Sequence, residues 1–309
     1  HTMDQQVIEK VLLAHVQEQR RARRWANFWR LITLCLVLVA IWISSFGSGG
    51  QLTANTTARH TAMIDLQGII DHGTTSSAEL INESLREAFK NSHAAGIILR
   101  VNSPGGSPVQ SSIVFDEIRR LKAAHKDKPV IAVVEDVAAS GGYYIAAAAD
   151  SIYVNPSSLV GSIGVRMDSF GFTEAMKKLG VERRVLTAGE NKALLDPFLP
   201  IDPKQRAAVQ SMINEVHGQF ISAVKQGRGD RLKSGPDLFT GMVWTGAKSV
   251  ELGLADGLGT VDSVARDLIK AEDVIDYTLQ PNFAERLAKR FGAAAGDAIF
   301  SAMMRWSIY

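Results

Sequence analysis

An α/β fold built on a parallel sheet is what this chain predicts, and three observations carry the expectation. Residues 62–70, 96–101, 129–134 and 151–154 read as apolar strands, the middle two nearly without interruption, as in strands covered on both faces. Single helical patterns separate the first three, which parallel connections require. Glycine-bearing turns follow the later strands, and ligand sites of parallel sheets gather at such ends.

In chain order, residues 1–24 place Arg20, Arg21, Arg23 and Arg24 behind a helical pattern of Val7, Val11, Leu12 and Val16. Residues 31–46 carry no charge. With Phe28 and Trp29 included, a helix here reaches about the 30 Å of a bilayer's hydrocarbon, and Trp25, Trp29 and Trp42 suit its interfaces. The expectation is a cytoplasmic segment over 1–27 and one transmembrane anchor over 28–46, a cleaved signal peptide being the alternative. Arginines ahead of the anchor keep the amino terminus cytoplasmic and put the rest of the chain outside. Residues 47–60, rich in Gly, Ser, Thr and Asn, read as a flexible linker.

The globular part is expected over 61–276. After the first strand, Ser76-x-x-Glu79 forms a capping-box pattern opening a helix with Ile81, Leu85 and Ala88 on one face. Ile113, Val114, Ile118 and Leu121 mark a second helix, residues 140–149 a third, and residues 181–186 a further strand. Asp202-Pro203 opens a long helix with Val209, Ile213, Val216, Phe220 and Val224 as a core or subunit-contact stripe. The Trp244 region and residues 247–252 suggest strand, turn and helix. Residues 277–309 alternate Phe283, Leu287, Phe291, Ile299, Met303 and Trp306 with Arg286, Lys289, Arg290 and Arg305, an amphipathic segment for a membrane surface, another subunit or its own domain.

Composition narrows the function. The 309 residues are 46% hydrophobic and 21% charged with a net charge of +2. Their basic residues are dispersed after the amino-terminal cluster, so nucleic acid is not an implied partner. Cys35 is the single cysteine and lies in the apolar segment, which leaves the globular part no thiol nucleophile and no cysteine-ligated metal. The seven histidines show no metal spacing, none sits in the glycine turns, and a bland surface role fits each.

Ser140 is the candidate nucleophile. It stands at a strand-to-helix junction ahead of Gly141 and Gly142, where a hydroxyl is exposed and backbone N–H groups are free. A helix-capping serine is the bland alternative. The turns at 101–106 and 160–165 end neighbouring strands, and their glycines expose N–H groups of the kind an oxyanion hole requires. Neither turn carries a phosphate-loop pattern. A base for Ser140 would be Lys192, which follows a strand and precedes Ala193, Leu194 and Leu195. A solvated lysine of pKa about 10.4 lacks a neutral form at pH 7 by roughly 4.6 kcal/mol, so a lysine base needs an apolar, partly closed setting. A solvated surface lysine is the alternative reading.

The ordered motifs 101–106, 139–143, 161–165 and Gly189-x-x-Lys192, with Thr240–Gly246 and Glu251–Gly259 behind them, resemble the signal peptide peptidase A family of membrane-bound Ser/Lys proteases. The resemblance covers roughly residues 62–259 and leaves the related SohB-type peptidases open. It implies a crotonase/ClpP-like fold of repeated β-β-α units, Ser140 as nucleophile and Lys192 as general base. It further implies Ser162 as the group that orients the lysine, and backbone donors from Gly105, Gly106 and Gly141. No cofactor or metal is implied. The expected partners are apolar peptides such as spent signal peptides, the lipid bilayer, and further copies of the chain in a ring or dome that can supply Lys192 in trans. The implied location is the bacterial inner membrane, single-pass, with the catalytic domain periplasmic. Two alternatives belong to other classes: a crotonase-like acyl-coenzyme A enzyme, and a catalytically silent membrane scaffold.

Overall fold

A computed structural model of the chain describes residues 21, 23–39, 58–233, 235 and 237–280. Two compact units divide it, one of residues 1–53 and 280–309, the other Ala54–Leu279. In the first, residues 23–39 form a helix with Trp25, Phe28, Trp29, Leu34 and Leu36 exposed. Among the described residues no helix is long and apolar enough to cross a membrane. Residues 40–46 of the expected anchor, and 281–309 of the expected amphipathic segment, lie outside the described residues.

The second unit is α/β. Strand β1 (His60–Ile70) leads through helix α1 (Ala78–Lys90) to β2 (Ala94–Gly106), then through α2 (Pro108–Ala124) to β3 (Val130–Ala139). Helix α3 (Gly141–Ala146), β4 (Ser151–Val154) and β5 (Leu159–Gly161) follow, then α4 (Thr173–Lys178), the long α5 (Pro203–Arg228), β6 (Val243–Thr245), α6 (Gly246–Glu251), β7 (Gly257–Leu258) and β8 (Val274–Asp276). The sheet runs β6-β5-β3-β2-β1-β8, with β4 also on β3 and β7 on β4. All described pairings are parallel except β5 with β6. Strand β3 changes partner along its length: Ile131–Val134 pair with β4, and Val137–Ala139 pair with β5.

Alternation fixes the two faces. Ala62, Ile64, Leu66, Ile97, Leu99, Val101, Ala132 and Val134 point into the main core beneath α1, α2, α3 and α5. Met63, Ile98, Ile131 and Val133 meet Val264, Ala265 and Ile269 on the other face. Arg100 shares that second face and is satisfied by Asp65 through two hydrogen bonds of 2.6 Å each.

Several expectations need correction. The capping box is absent: α1 starts after Ser77, because the Ser76 hydroxyl bridges the backbone of Gln67, donating to its carbonyl (2.7 Å) and accepting from its N–H (3.0 Å). Residues 181–186 are not a strand; Val181 and Leu186 are exposed, and a strand needs a neighbour for its backbone groups. His60 belongs to β1 rather than to a linker, and it is no surface histidine: it is buried, its ring stacks on Tyr277, and Nε2 lies 2.8 Å from the Tyr277 hydroxyl. The capping of α5 by Asp202 matches expectation, its Oδ1 accepting from the N–H groups of Lys204 (2.7 Å) and Gln205 (3.2 Å).

Candidate active site

The register Ala139↔Gly161 between β3 and β5 brings Ser140 and Ser162 side by side, each one residue past the last paired position. Both have φ of 51°, uncommon for a residue with a side chain and concentrated where surroundings over-determine the backbone. The surroundings are visible. Ser140 N–H donates to Gly161 O (2.9 Å), Tyr144 N–H donates to Ser140 O (2.9 Å), and Ser162 N–H donates to Met242 O (2.7 Å), the residue just before the antiparallel strand β6. Ser140 stands at the N-cap of α3, yet its hydroxyl makes no capping bond. The capping reading is thereby set aside, and the hydroxyl is left for other work.

The glycines explain themselves by distance. A Cβ on Gly106 would lie 2.1 Å from Ile70 O, and one on Gly105 would lie 2.7 Å from both Gly141 N and Ser140 Cβ. Only bare backbone lets the 103–106 segment approach the Ser140 turn. Their N–H groups differ, however. Gly105 N–H donates to Ser103 Oγ (3.1 Å), whose hydroxyl donates to Gly68 O (2.6 Å). Ser107 N–H makes the bond to Ile70 O (2.7 Å), so alternation turns the Gly106 N–H away from β1. Gly141 is the first residue of α3, where N–H groups lack intrahelical partners. A Cβ on Gly141 would lie 3.3 Å from Gly106 N, which sets these two donors beside each other. Both glycines and Ser140 line one cavity of about 110 Å³.

Beneath the turn lies a buried charged anchor. The Arg228 guanidinium, wholly buried, donates to Gly253 O and to both carboxylate oxygens of Asp256 (2.7 and 3.0 Å). Asp256 also accepts from Ile152 N–H (2.7 Å) and meets Arg231. Desolvation raises its carboxyl, but the Arg228 hydrogen bond, the Ile152 N–H and both arginines outweigh it and hold the group below the usual carboxylate range. The Tyr143 hydroxyl, three residues from Ser140, donates to Leu254 O (2.7 Å), and its burial pushes the phenol well above its ordinary value. The 251–259 motif therefore acts as the bed of α3.

Lys192 sits elsewhere. Its N–H donates to Gly189 O (3.1 Å) in an exposed turn, and it is not among the residues lining the cavity at Ser140. The described chain brings Ser140, Ser162, Gly105, Gly106 and Gly141 together and leaves Lys192 on an exposed arm. One residue near the site escaped sequence reading: His217, whose Nε2 lies 3.1 Å from Ile163 O next to Ser162. A carbonyl only accepts, so Nε2 carries the proton there. Nothing in the α5 stripe marks this histidine, since His217 stands beside it between Val216 and Phe220.

The model of peptidase family S49 matches residues 122–274. A Synechocystis sp. protein named "Putative protease slr0021" is 30% identical over 205 residues, which cover 66% of this chain and 72% of that protein. The chain belongs to peptidase family S49. Within the S49 relatives, an Enterococcus faecium protein named "Putative signal peptide peptidase SppA" is 28% identical over 195 residues, 63% of this chain and 56% of that protein. A Brucella melitensis protein named "Na(+)/H(+) antiporter NhaA" is 47% identical over 209 residues, 66% of this chain. The chain spans only 28% of that protein's length. Its S49 region, from α2 to β8, contains Ser140, Ser162 and Lys192.

Proposed function

We propose that this chain is a serine endopeptidase with Ser140 as nucleophile and Lys192 as general base, acting on apolar peptides such as spent signal peptides. The observation that carries the reading is Ser140 held at φ 51° with its hydroxyl uncapped, in one cavity with Gly106 and Gly141. Neutral Lys192 takes the Ser140 proton as Oγ bonds to the peptide carbonyl carbon, and the Gly106 and Gly141 N–H groups receive the oxyanion. The lysine returns the proton to the leaving amine, and water repeats the cycle on the acyl-enzyme. Ser162, beside Ser140, orients the lysine.

The exposed position of Lys192 favours its delivery to a neighbouring copy. The arm that carries it presents Met167, Phe170, Leu179, Val181, Leu186 and Ile201 to solvent, an apolar surface of the kind that association covers. The proposal includes a crotonase/ClpP-like scaffold on a single membrane anchor, with this domain on the outer side of a bacterial inner membrane. Cleavage of an apolar signal-peptide-like substrate by the full chain tests it. Ser140→Ala and Lys192→Ala should each lose activity by about 10³-fold or more, and mixed assemblies of the two should regain part of it. Full activity of Lys192→Ala rejects the lysine base; no recovery in the mixture rejects transfer between copies.

A further inference from the structure

Past β5 the sheet no longer holds the backbone. Ser162 N–H still donates to Met242 O (2.7 Å), but among the described residues the backbone of 163–165 makes no hydrogen bond to another backbone. Ser162 nevertheless keeps a φ of 51°, which a residue with a side chain holds only where its surroundings impose it. Two groups do so on its carboxyl side. The Ile163 side chain is wholly buried, and His217 of α5 donates from Nε2–H to Ile163 O (3.1 Å). Burial seats the residue without choosing an orientation for its peptide. The hydrogen bond is directional and chooses one.

We infer that His217 is a positioning residue for the proposed reaction: by holding the Ile163 carbonyl it keeps Ser162 in its positive-φ conformation, and so fixes where the Ser162 hydroxyl meets Lys192. The inference rests on the peptidase reading above. With Met242 alone, Ser162 is anchored only through its own N–H, and its backbone is free to relax toward ordinary negative φ. His217 closes the other side from a different element, one that also lends Val216, Gln219 and Phe220 to the cavity at Ser140. It acts through a neutral N–H, with no part in proton transfer.

The experiment uses full-chain variants on an apolar peptide whose cleavage depends on Ser140, with assembly and denaturation midpoint recorded for each. His217→Leu removes the donor and keeps an apolar bulk; kcat should fall by roughly 10- to 100-fold with KM little changed, because Ser162 acts on the base and not on the substrate. His217→Gln offers an amide N–H in place of Nε2–H and should keep most of the rate and the wild-type pH profile. Ser162→Ala combined with His217→Leu should be no slower than Ser162→Ala alone, since residues that act as one unit are not additive. A folded His217→Leu at wild-type rate, a loss confined to KM, a folded but slow His217→Gln, or losses that multiply in the double variant each overturn the positioning role and leave the peptidase reading standing. Absence of Ser140-dependent cleavage by wild type overturns both.

Discussion

Ser140 and Lys192 are built into the chain in opposite ways. Ser140 lies between the ends of β3 and β5, its backbone bonded to Gly161 and Tyr144 and its helix seated on the buried Arg228–Asp256 pair. Lys192 lies in a turn of an arm that runs from about residue 166 to 202, with one short helix, no strand, and side chains as open as Leu179 (78% exposed) and Phe170 (76%). A nucleophile needs fixed geometry, and one chain can supply that from its own core. A lysine base needs to be shielded from water, and the described arm offers no shield of its own. The difference teaches that the two catalytic requirements are separable, and that the second is met by assembly under the proposed function.

The largest expected effect follows from breaking the arm alone. Leu179→Ser with Leu186→Ser removes apolar surface that touches little within the chain, so unfolding free energy should change by no more than about 0.5 kcal/mol. Activity should nevertheless fall by roughly 10³-fold, the scale of the missing neutral lysine in water. Sedimentation should show the loss of assembly in the same samples. Retained activity in dispersed chains would mean that Lys192 works uncovered.

The reverse break leaves the arm intact and removes the anchor. Asp256→Asn strands the Arg228 charge in the core, which costs about 3–5 kcal/mol in a denaturant titration. The sign with pH is fixed too. Because the Asp256 carboxyl is held below its ordinary range when folded, its contribution is complete above that range and fades as acid protonates it. Wild type should therefore lose more stability than Asp256→Asn between neutral and strongly acidic pH.

A smaller break acts inside the Ser140 turn. A Cβ on Gly141 would lie 2.5 Å from Ser111 Oγ, so under the proposed function Gly141→Ala should displace one of the two proposed oxyanion donors and reduce kcat by about 10²-fold. Ser111→Ala in the same chain removes the clashing oxygen and should restore much of the rate. No rescue would show that Gly141 is required for a reason other than space.

The same contrast explains what could be read from sequence. Continuous apolar runs at 96–101 and 129–134 appear as β2 and β3 because buried strands are dictated by their own residues, and the glycine turns mark their ends for the same reason. Strand β6 and the helix after it were legible around Trp244, but the antiparallel direction of β6 was not, because it depends on a partner more than 80 residues earlier in the chain, Leu159–Gly161. Residues 181–186 have strand-like composition but lack a described partner, so composition misled. His60 and His217 illustrate a further limit, since a single histidine gives no periodic signal and its burial is decided by what folds over it. Ser140 was readable because a serine followed by two glycines after a strand leaves few conformations open. Lys192 could be singled out from its residues only beside an equal reading as a solvated surface lysine, and the resemblance supplied the role of base.

The smallest effect compares ion pairs in the two regions. Glu117 of α2 is held by Arg120 and Arg86 (2.7 Å each). The Arg120 hydrogen bond chiefly, with Arg86 behind it and against some desolvation, pushes its carboxyl down to about 2. A carboxyl lowered on folding stabilises fully above its unfolded pKa of about 4.3 and loses that contribution as pH falls toward 2. Both arginines are exposed, so screening limits the gain to about 1 kcal/mol. On the arm, Asp196 is also lowered, first by the Phe198 N–H and then by Arg183, but Arg183 is about half exposed (46%), and a single surface pair of this kind contributes too little to register. Denaturant titrations at pH 7 and pH 3 should show the acid-induced loss shrinking by about that kcal/mol in Glu117→Gln and unchanged in Asp196→Asn. An equal response from the two variants would mean that the arm is packed as firmly as the domain that carries Ser140.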